Sequence, residues 1–249
     1  QLGFNENMLS QWKSVVEQPN GVVLVTGPTG SGKSTTLYSV LSQLDTDEIN
    51  VATIEDPIEA QISGINQSQI NNRAGFTFST ALRSMLRQDP DVLMVGEIRD
   101  NETAGIVSQA ALTGHLVFST LHTNDSISAV TRLVNLGIEP YLVAATVRGV
   151  LAQRLVRKIC PHCKTAWEGD DAVRKACGGG NFYMGAGCNR CRGTGFAGRI
   201  GIFELLIPTI ELLEAIGSGA PLQELRKLTS HATLHADGLE KVAKGLTTP

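Results

Sequence analysis

The stretch Gly27-Pro28-Thr29-Gly30-Ser31-Gly32-Lys33-Ser34, continued by Thr35, decides the reading of this chain. It fills every fixed position of G-x-x-x-x-G-K-[ST]. Its setting suits the match, because the β-branched run Val22–Thr26 precedes it and a helical pattern, Lys33–Leu44, follows. Glycines let backbone N–H groups turn inward around phosphate oxygens, and the following helix adds its positive end. Gly27, Pro28, Thr29, Gly30, Ser31, Gly32, Lys33, Ser34 and Thr35 are therefore the candidate nucleotide-binding residues. Lys33 would bridge the β- and γ-phosphates of ATP, and Ser34 would ligate Mg²⁺.

Outward from this loop, short β-rich runs alternate with helical patterns, the mark of an α/β fold with a parallel sheet. Val51–Ile54, Val92–Val95 and Leu116–Thr120 read as further buried strands. Thr77–Gln88, Glu102–Leu112 and Ser126–Leu136 read as helices, and Tyr141–Lys158 as a longer helix leaving the sheet. A strand, Arg199–Leu206, and small helices at Thr209–Ile216, Leu222–Leu228 and His235–Lys244 close the chain. The expected organisation is a P-loop core over residues 1–158, a cysteine-bearing module over 159–198, and a C-terminal strand with helices over 199–249.

Three more segments end at the edge of the sheet where an open α/β fold binds ligands. Asp89-Pro-Asp-Val-Leu-Met-Val-Gly-Glu97 delivers Glu97 as a general base or a ligand to magnesium-bound water; a helix-capping acid is the alternative. Glu55-Asp56-Pro-Ile-Glu59 crowds carboxylates that repel unless a cation such as nucleotide-bound Mg²⁺ lies close, or else forms a solvated Asp-Pro turn. His122 follows the strand Leu116–Thr120, and His115 precedes it; a histidine at the carboxyl end could hydrogen-bond a γ-phosphate or position water.

Cys160-Pro-His-Cys163 and Cys188-Asn-Arg-Cys191 lie 24 residues apart. Two such knuckles facing each other give a closed four-thiolate site, best suited to structural Zn²⁺; a redox dithiol or an iron–sulfur cluster suits the spacing less well. The intervening glycine-rich stretch could not build its own core, so metal closure would replace one. Cys177 reads as a spare thiol. Between Arg154 and Arg199 stand nine Lys/Arg against three Asp/Glu, which would offset the negative charge of four thiolates on zinc.

Composition narrows the functional classes. At 249 residues and 42% apolar content the chain can bury a substantial core. A net charge of −3 and 5% aromatics argue against a nucleic-acid coat or a base-stacking surface. No apolar run reaches the roughly 18 residues of a spanning helix, and there is no secretory signal, so a cytoplasmic protein is expected. The absence of an initiating methionine suggests a piece of something longer.

The four segments GPTGSGKST, TIEDPIE, DPDVLMVGEIRD and TGHLVFSTLHTN, in that order, resemble the secretion ATPase superfamily, in particular the assembly motors of type II secretion and type IV pili. The family calls them Walker A, Asp box, Walker B and His box, and the likeness runs from about Gly3 to Thr248. It implies a RecA-like core, homohexameric rings, and hydrolysis of ATP at the cytoplasmic face of the inner membrane, coupled to a membrane platform protein. By that likeness Glu97 is the catalytic carboxylate, Glu55, Asp56 and Glu59 form the Asp box, and His122 belongs to the His box. The tetracysteine insertion is carried by assembly motors and usually missing from retraction motors. Family members have an upstream domain that supplies arginines to a neighbour's nucleotide. Nothing here corresponds to it, so this chain alone is expected to bind nucleotide but turn over slowly. The competing classes are a RecA-type nucleic-acid or DNA-uptake motor and a non-catalytic nucleotide sensor.

Overall fold

Alternate residues of the strand before the phosphate loop face opposite ways, and both ways are buried. Val22 and Leu24 enter one apolar cluster, Val23 and Val25 another, and none is more than 1% exposed. A parallel strand covered on both faces implies helices above and below it. That is the arrangement in the computed structural model, which describes residues 2–249.

In chain order the elements are α1 (Glu6–Val16), β1 (Gly21–Thr26), α2 (Lys33–Leu41), β2 (Val51–Glu55), β3 (Asn66–Gln69), α3 (Phe78–Met85), β4 (Val92–Val95), α4 (Asn101–Leu112), β5 (Leu116–Leu121), α5 (Ser126–Asn135) and α6 (Pro140–Thr146). Then come β6 (Val147–Ile159), β7 (Lys164–Ala166), α7 (Asp171–Ala176), β8 (Tyr183–Gly185), β9 (Phe196–Leu206), α8 (Ile210–Gly217), α9 (Leu222–Lys227) and α10 (Leu234–Ala243). The main sheet has strand order β3-β2-β4-β5-β1-β6-β9. Every neighbouring pair is parallel except β6 and β9, which form an antiparallel hairpin. Helices α1 and α2 cover one face through Met8, Trp12, Val15, Leu37 and Leu41. The other face carries residues of α3 to α6, α8 and α9. Each fully buried Leu or Phe on these faces, Leu24 and Phe118 among them, contributes about 1.5–3 kcal/mol.

The expected helix over Tyr141–Lys158 is a correction. The helical part stops at Thr146, and Val147–Ile159 is a 13-residue strand. Its first half is a central strand, buried from Gly149 to Gln153, so its apolar run shows no period of two. Gly149 is the local sign of this: a Cβ there would lie 2.6 Å from Val15 Cγ1 on α1. Beyond Gln153 the strand continues into the hairpin with β9. The cysteines sit at the far end of that hairpin, beside the small β7–β8 ribbon. Residues after 198 thus rejoin the main sheet through β9, and α10 is fastened to it by the buried Lys241–Asp237 pair, whose Asp237 also accepts the Phe203 N–H at 2.7 Å.

Candidate active site

The carboxyl ends of β1, β2, β4 and β5 open into one cleft of about 460 Å³. Thr29, Gly30, Gly32, Lys33, Ser34 and Thr35 line one wall, and Glu55, Asp56, Glu59, Glu97 and His122 are among the residues that line the others. The loop needs its glycines. Gly27 has φ +150°, and a Cβ there would sit 2.3 Å from the carbonyl oxygen of Gln153. Gly32, at φ +88°, is the residue from which α2 begins. Lys33 is buried, and its Nζ donates to the carbonyls of Gly27 and Pro28 at 2.9 and 3.1 Å. Burial pushes its pKa down, and the nearby Glu97 charge opposes the shift.

Gln153, from β6, braces the loop from behind. Its Nε2 donates to the Ser31 carbonyl at 2.8 Å, and its Oε1 accepts from the Thr36 hydroxyl at 2.7 Å. Reading the surrounding stretch as a helix hid this residue. Leu155 of β6 and Arg199 of β9, both in the same hairpin, also line the cleft.

The acids behave differently from one another. Glu97 follows β4, with Arg99 at 2.5 Å on one oxygen and His122 Nε2 at 3.5 Å on the other. The cap of the next helix is Asp100, which accepts the Thr103 N–H at 2.8 Å, so Glu97 is free of that duty. Glu55 is buried and accepts on both oxygens: Thr53 donates at 2.6 Å, Gln67 at 3.0 Å, and the Tyr38 hydroxyl also donates. These neutral donors relieve the repulsion expected among the three acids of this segment. Tyr38 remains a donor at neutral pH, since burial first and the Glu55 hydrogen bond second push its pKa up to about 12. Asp56 and Glu59 are exposed in the cleft, and the Ser34 hydroxyl donates to Glu59 at 3.4 Å. His115 does not join them. It lies at the other end of β5, where Nδ1 meets the Ala110 carbonyl at 2.9 Å.

The four paired cysteines converge, with their Sγ atoms all within 4.8 Å of one another. Cys160–Cys188, Cys163–Cys191 and Cys188–Cys191 are 4.0, 3.8 and 3.7 Å apart. A tetrahedral thiolate site with Zn–S bonds near 2.3 Å spaces its sulfurs about 3.8 Å apart, so the donor set fits zinc. Backbone N–H groups of Cys188 and Gly195 point at Cys191 Sγ from 3.2 and 3.3 Å. Burial pushes the Cys191 thiol up, but these donors and the neighbouring thiols outweigh it and hold it down at about 6. Cys177, at the end of α7, stands outside the cluster.

A parallel sheet, a glycine-rich loop running into α2, and acids gathered at the same sheet edge define a P-loop NTPase of RecA-like type. The chain belongs to the Type II/IV secretion system protein family, whose model matches residues 1–249. It is 49% identical to a type IV pilus assembly ATPase, PilB, of Thermus thermophilus, over 99% of this chain and 29% of that protein. It is 50% identical to the type II secretion system ATPase E of Vibrio cholerae, over 99% of this chain and 50% of that protein. Among solved structures, the pilus retraction motor PilT with bound ADP superposes with TM-score 0.72 at 32% identity, covering 99% of this chain and 63% of that one. The ATPase DotB of Legionella pneumophila gives 0.70 at 26% identity, covering 99% and 62%. The chain thus spans about half the length, or less, of these curated relatives. Among the described residues no helix is long and apolar enough to cross a membrane.

Proposed function

We propose that this chain is the ATP-hydrolysing motor domain of a machine that assembles pili or the pseudopili of type II secretion. The observation that carries the reading is the meeting of Lys33 and Glu97 in one cleft at the carboxyl edge of the sheet. In this reading the loop residues from Gly27 to Thr35 bind the triphosphate, Ser34 ligates Mg²⁺, and Glu97 polarises the attacking water. His122 stands 3.5 Å from Glu97 to hydrogen-bond the γ-phosphate or position the water, and Asp56 and Glu59 face the metal side. Glu55 acts through its partners, fixing the Asp-box turn against Tyr38 of α2. Cys160, Cys163, Cys188 and Cys191 hold a structural Zn²⁺, which supplies folding energy and no step of hydrolysis.

The relatives' names support pilus or pseudopilus assembly over a nucleic-acid motor. A homohexamer, arginines from an upstream domain, and docking to a membrane platform protein complete the proposal. The test is Glu97→Gln. Turnover of ATP should fall at least 100-fold while a non-hydrolysable analogue still binds, because the substitution removes the base and keeps the shape. Undiminished turnover would remove Glu97 from its role.

A further inference from the structure

The apolar strand β9 carries one acid in its buried half, Glu204, which is 5% exposed and has no place in the cleft. An uncompensated carboxylate there would cost several kcal/mol, so its partners explain its presence. Oε1 accepts the N–H and the hydroxyl of Ser126 at 2.9 and 2.6 Å, with His231 Nε2 at 3.4 Å. Oε2 accepts the Leu234 N–H at 3.1 Å. Ser126 opens α5 and Leu234 opens α10, so a single carboxylate serves two helix N-termini, where negative charge is favoured.

Ser126 also ends the turn that carries His122. The front of that turn is pinned to β1: the Thr123 N–H donates to Thr26 Oγ1 at 2.9 Å, and Thr26 Oγ1 donates to the Leu121 carbonyl at 3.1 Å. At the rear, Glu204 takes Ser126 from one side, and Arg226 of α9 takes Asp125 at 2.6 Å from the other. His122 is held between these anchors, four residues ahead of Ser126, with its Nε2 3.5 Å from Glu97. A slip of about 1 Å at the rear anchor would stretch this 3.5 Å contact beyond the reach of an ion pair.

We propose that Glu204 is a positioning residue for the nucleotide site: it sets His122 against Glu97 by clamping the rear of the His-box turn to β9 and α10. The inference deepens the functional reading above and rests on His122 acting in hydrolysis. It also gives the C-terminal helices a physical route to the cleft, through His231 and Leu234 to Glu204, and from Glu204 through Ser126 to His122.

The experiment is a double-mutant cycle of Glu204→Gln and His122→Ala in the full-length natural protein, with kcat and KM for ATP, analogue binding and thermal unfolding measured for each variant. Misplacing a group by about 1 Å typically costs up to 100-fold in rate. Glu204→Gln should therefore lower kcat roughly 10- to 100-fold, with analogue affinity within about twofold, and lower it no further once His122 is alanine. Ser126→Ala removes only one hydroxyl donor. It should show a smaller loss with the same dependence on His122, and it serves if Glu204→Gln does not fold. Equal losses in both backgrounds would reduce Glu204 to a structural cap and overturn the proposal while leaving the role of His122 standing. Full turnover in His122→Ala alone would sink the His122 assignment itself, and the clamp with it.

Discussion

Replacing Gln153 by leucine would test whether the hairpin braces the phosphate loop. Leucine keeps most of the volume of this 2%-exposed side chain and removes both of its hydrogen bonds, to Thr36 and to the Ser31 carbonyl. Two buried neutral bonds are worth about 1 kcal/mol each, and each partner left unsatisfied adds about 1–3 kcal/mol. Thr36 can turn its hydroxyl to the Gly32 carbonyl one helical turn back, so only Ser31 should bear that penalty in full. The sum is about 3–5 kcal/mol. For a chain of this size that lowers the unfolding midpoint by roughly 6–20 °C, at about 2–4 °C per kcal/mol. Loosening the loop by even ~1 kcal/mol should also weaken binding of an ATP analogue about fivefold. Calorimetry and analogue titration read the two effects separately. A midpoint within about 2 °C of the parent, with unchanged analogue affinity, would show that Gln153 merely fills space and that the loop stands without it.

Two more outcomes are expected. Purified protein should carry one equivalent of zinc, and stripping it or introducing Cys163→Ser should expose residues 159–198 to limited proteolysis while β1 to β5 stay protected; uniform cleavage along the chain would contradict this. Burial alone would raise the Glu204 pKa, but hydrogen bonds from His231, Ser126 and the Leu234 N–H overcome it and hold it at about 2. Because the folded value is depressed, the stabilisation is full above the ordinary carboxylate range and is lost as pH falls from about 4.5 toward 2. At up to 1.36 kcal/mol per unit, with screening, about 2 kcal/mol should disappear across that window, and Glu204→Gln should flatten this part of the acid-stability curve.

Much of the fold was legible because its strands are buried on both faces and its loop must be glycine. Val92–Val95 coincides with β4 to the residue, and the strands around it agree to within one residue or so. What stayed hidden has identifiable causes. Asn66–Gln69 forms the edge strand β3 with an entirely polar sequence, placed there by pairing with β2 and by the bond from Gln67 to Glu55. Helix α1 has its own local signal in the sequence: Asn5 caps it, and Met8, Trp12 and Val15 recur at one helical face. β6 was misread because a strand buried on both faces gives the same apolar run as a buried helix segment. Within the cleft, the motif acids were visible, but their different states were not. That Glu55 is hydrogen-bonded on both oxygens depends on Tyr38, Thr53 and Gln67 reaching it from three elements, and no local spacing encodes such convergence.

The misread strand changes what the cysteine module can do. As a helix leading away from the sheet, residues 147–158 would have made the module a tethered appendage. As a strand paired in parallel with β1 through Ala152, they join the strand that ends in the phosphate loop directly to the hairpin that ends in the cysteines. Gln153 holds the loop, Leu155 and Arg199 line the cleft, and Arg154 reaches Asn124 of the His-box turn at 3.4 Å, all before the hairpin arrives at Cys160. Antiparallel pairing from Val150↔Leu206 to Arg157↔Arg199 makes this a stiff lever, since bending it would break a ladder of backbone bonds. The hairpin thus joins the tip that carries the four cysteines directly to residues that line the cleft.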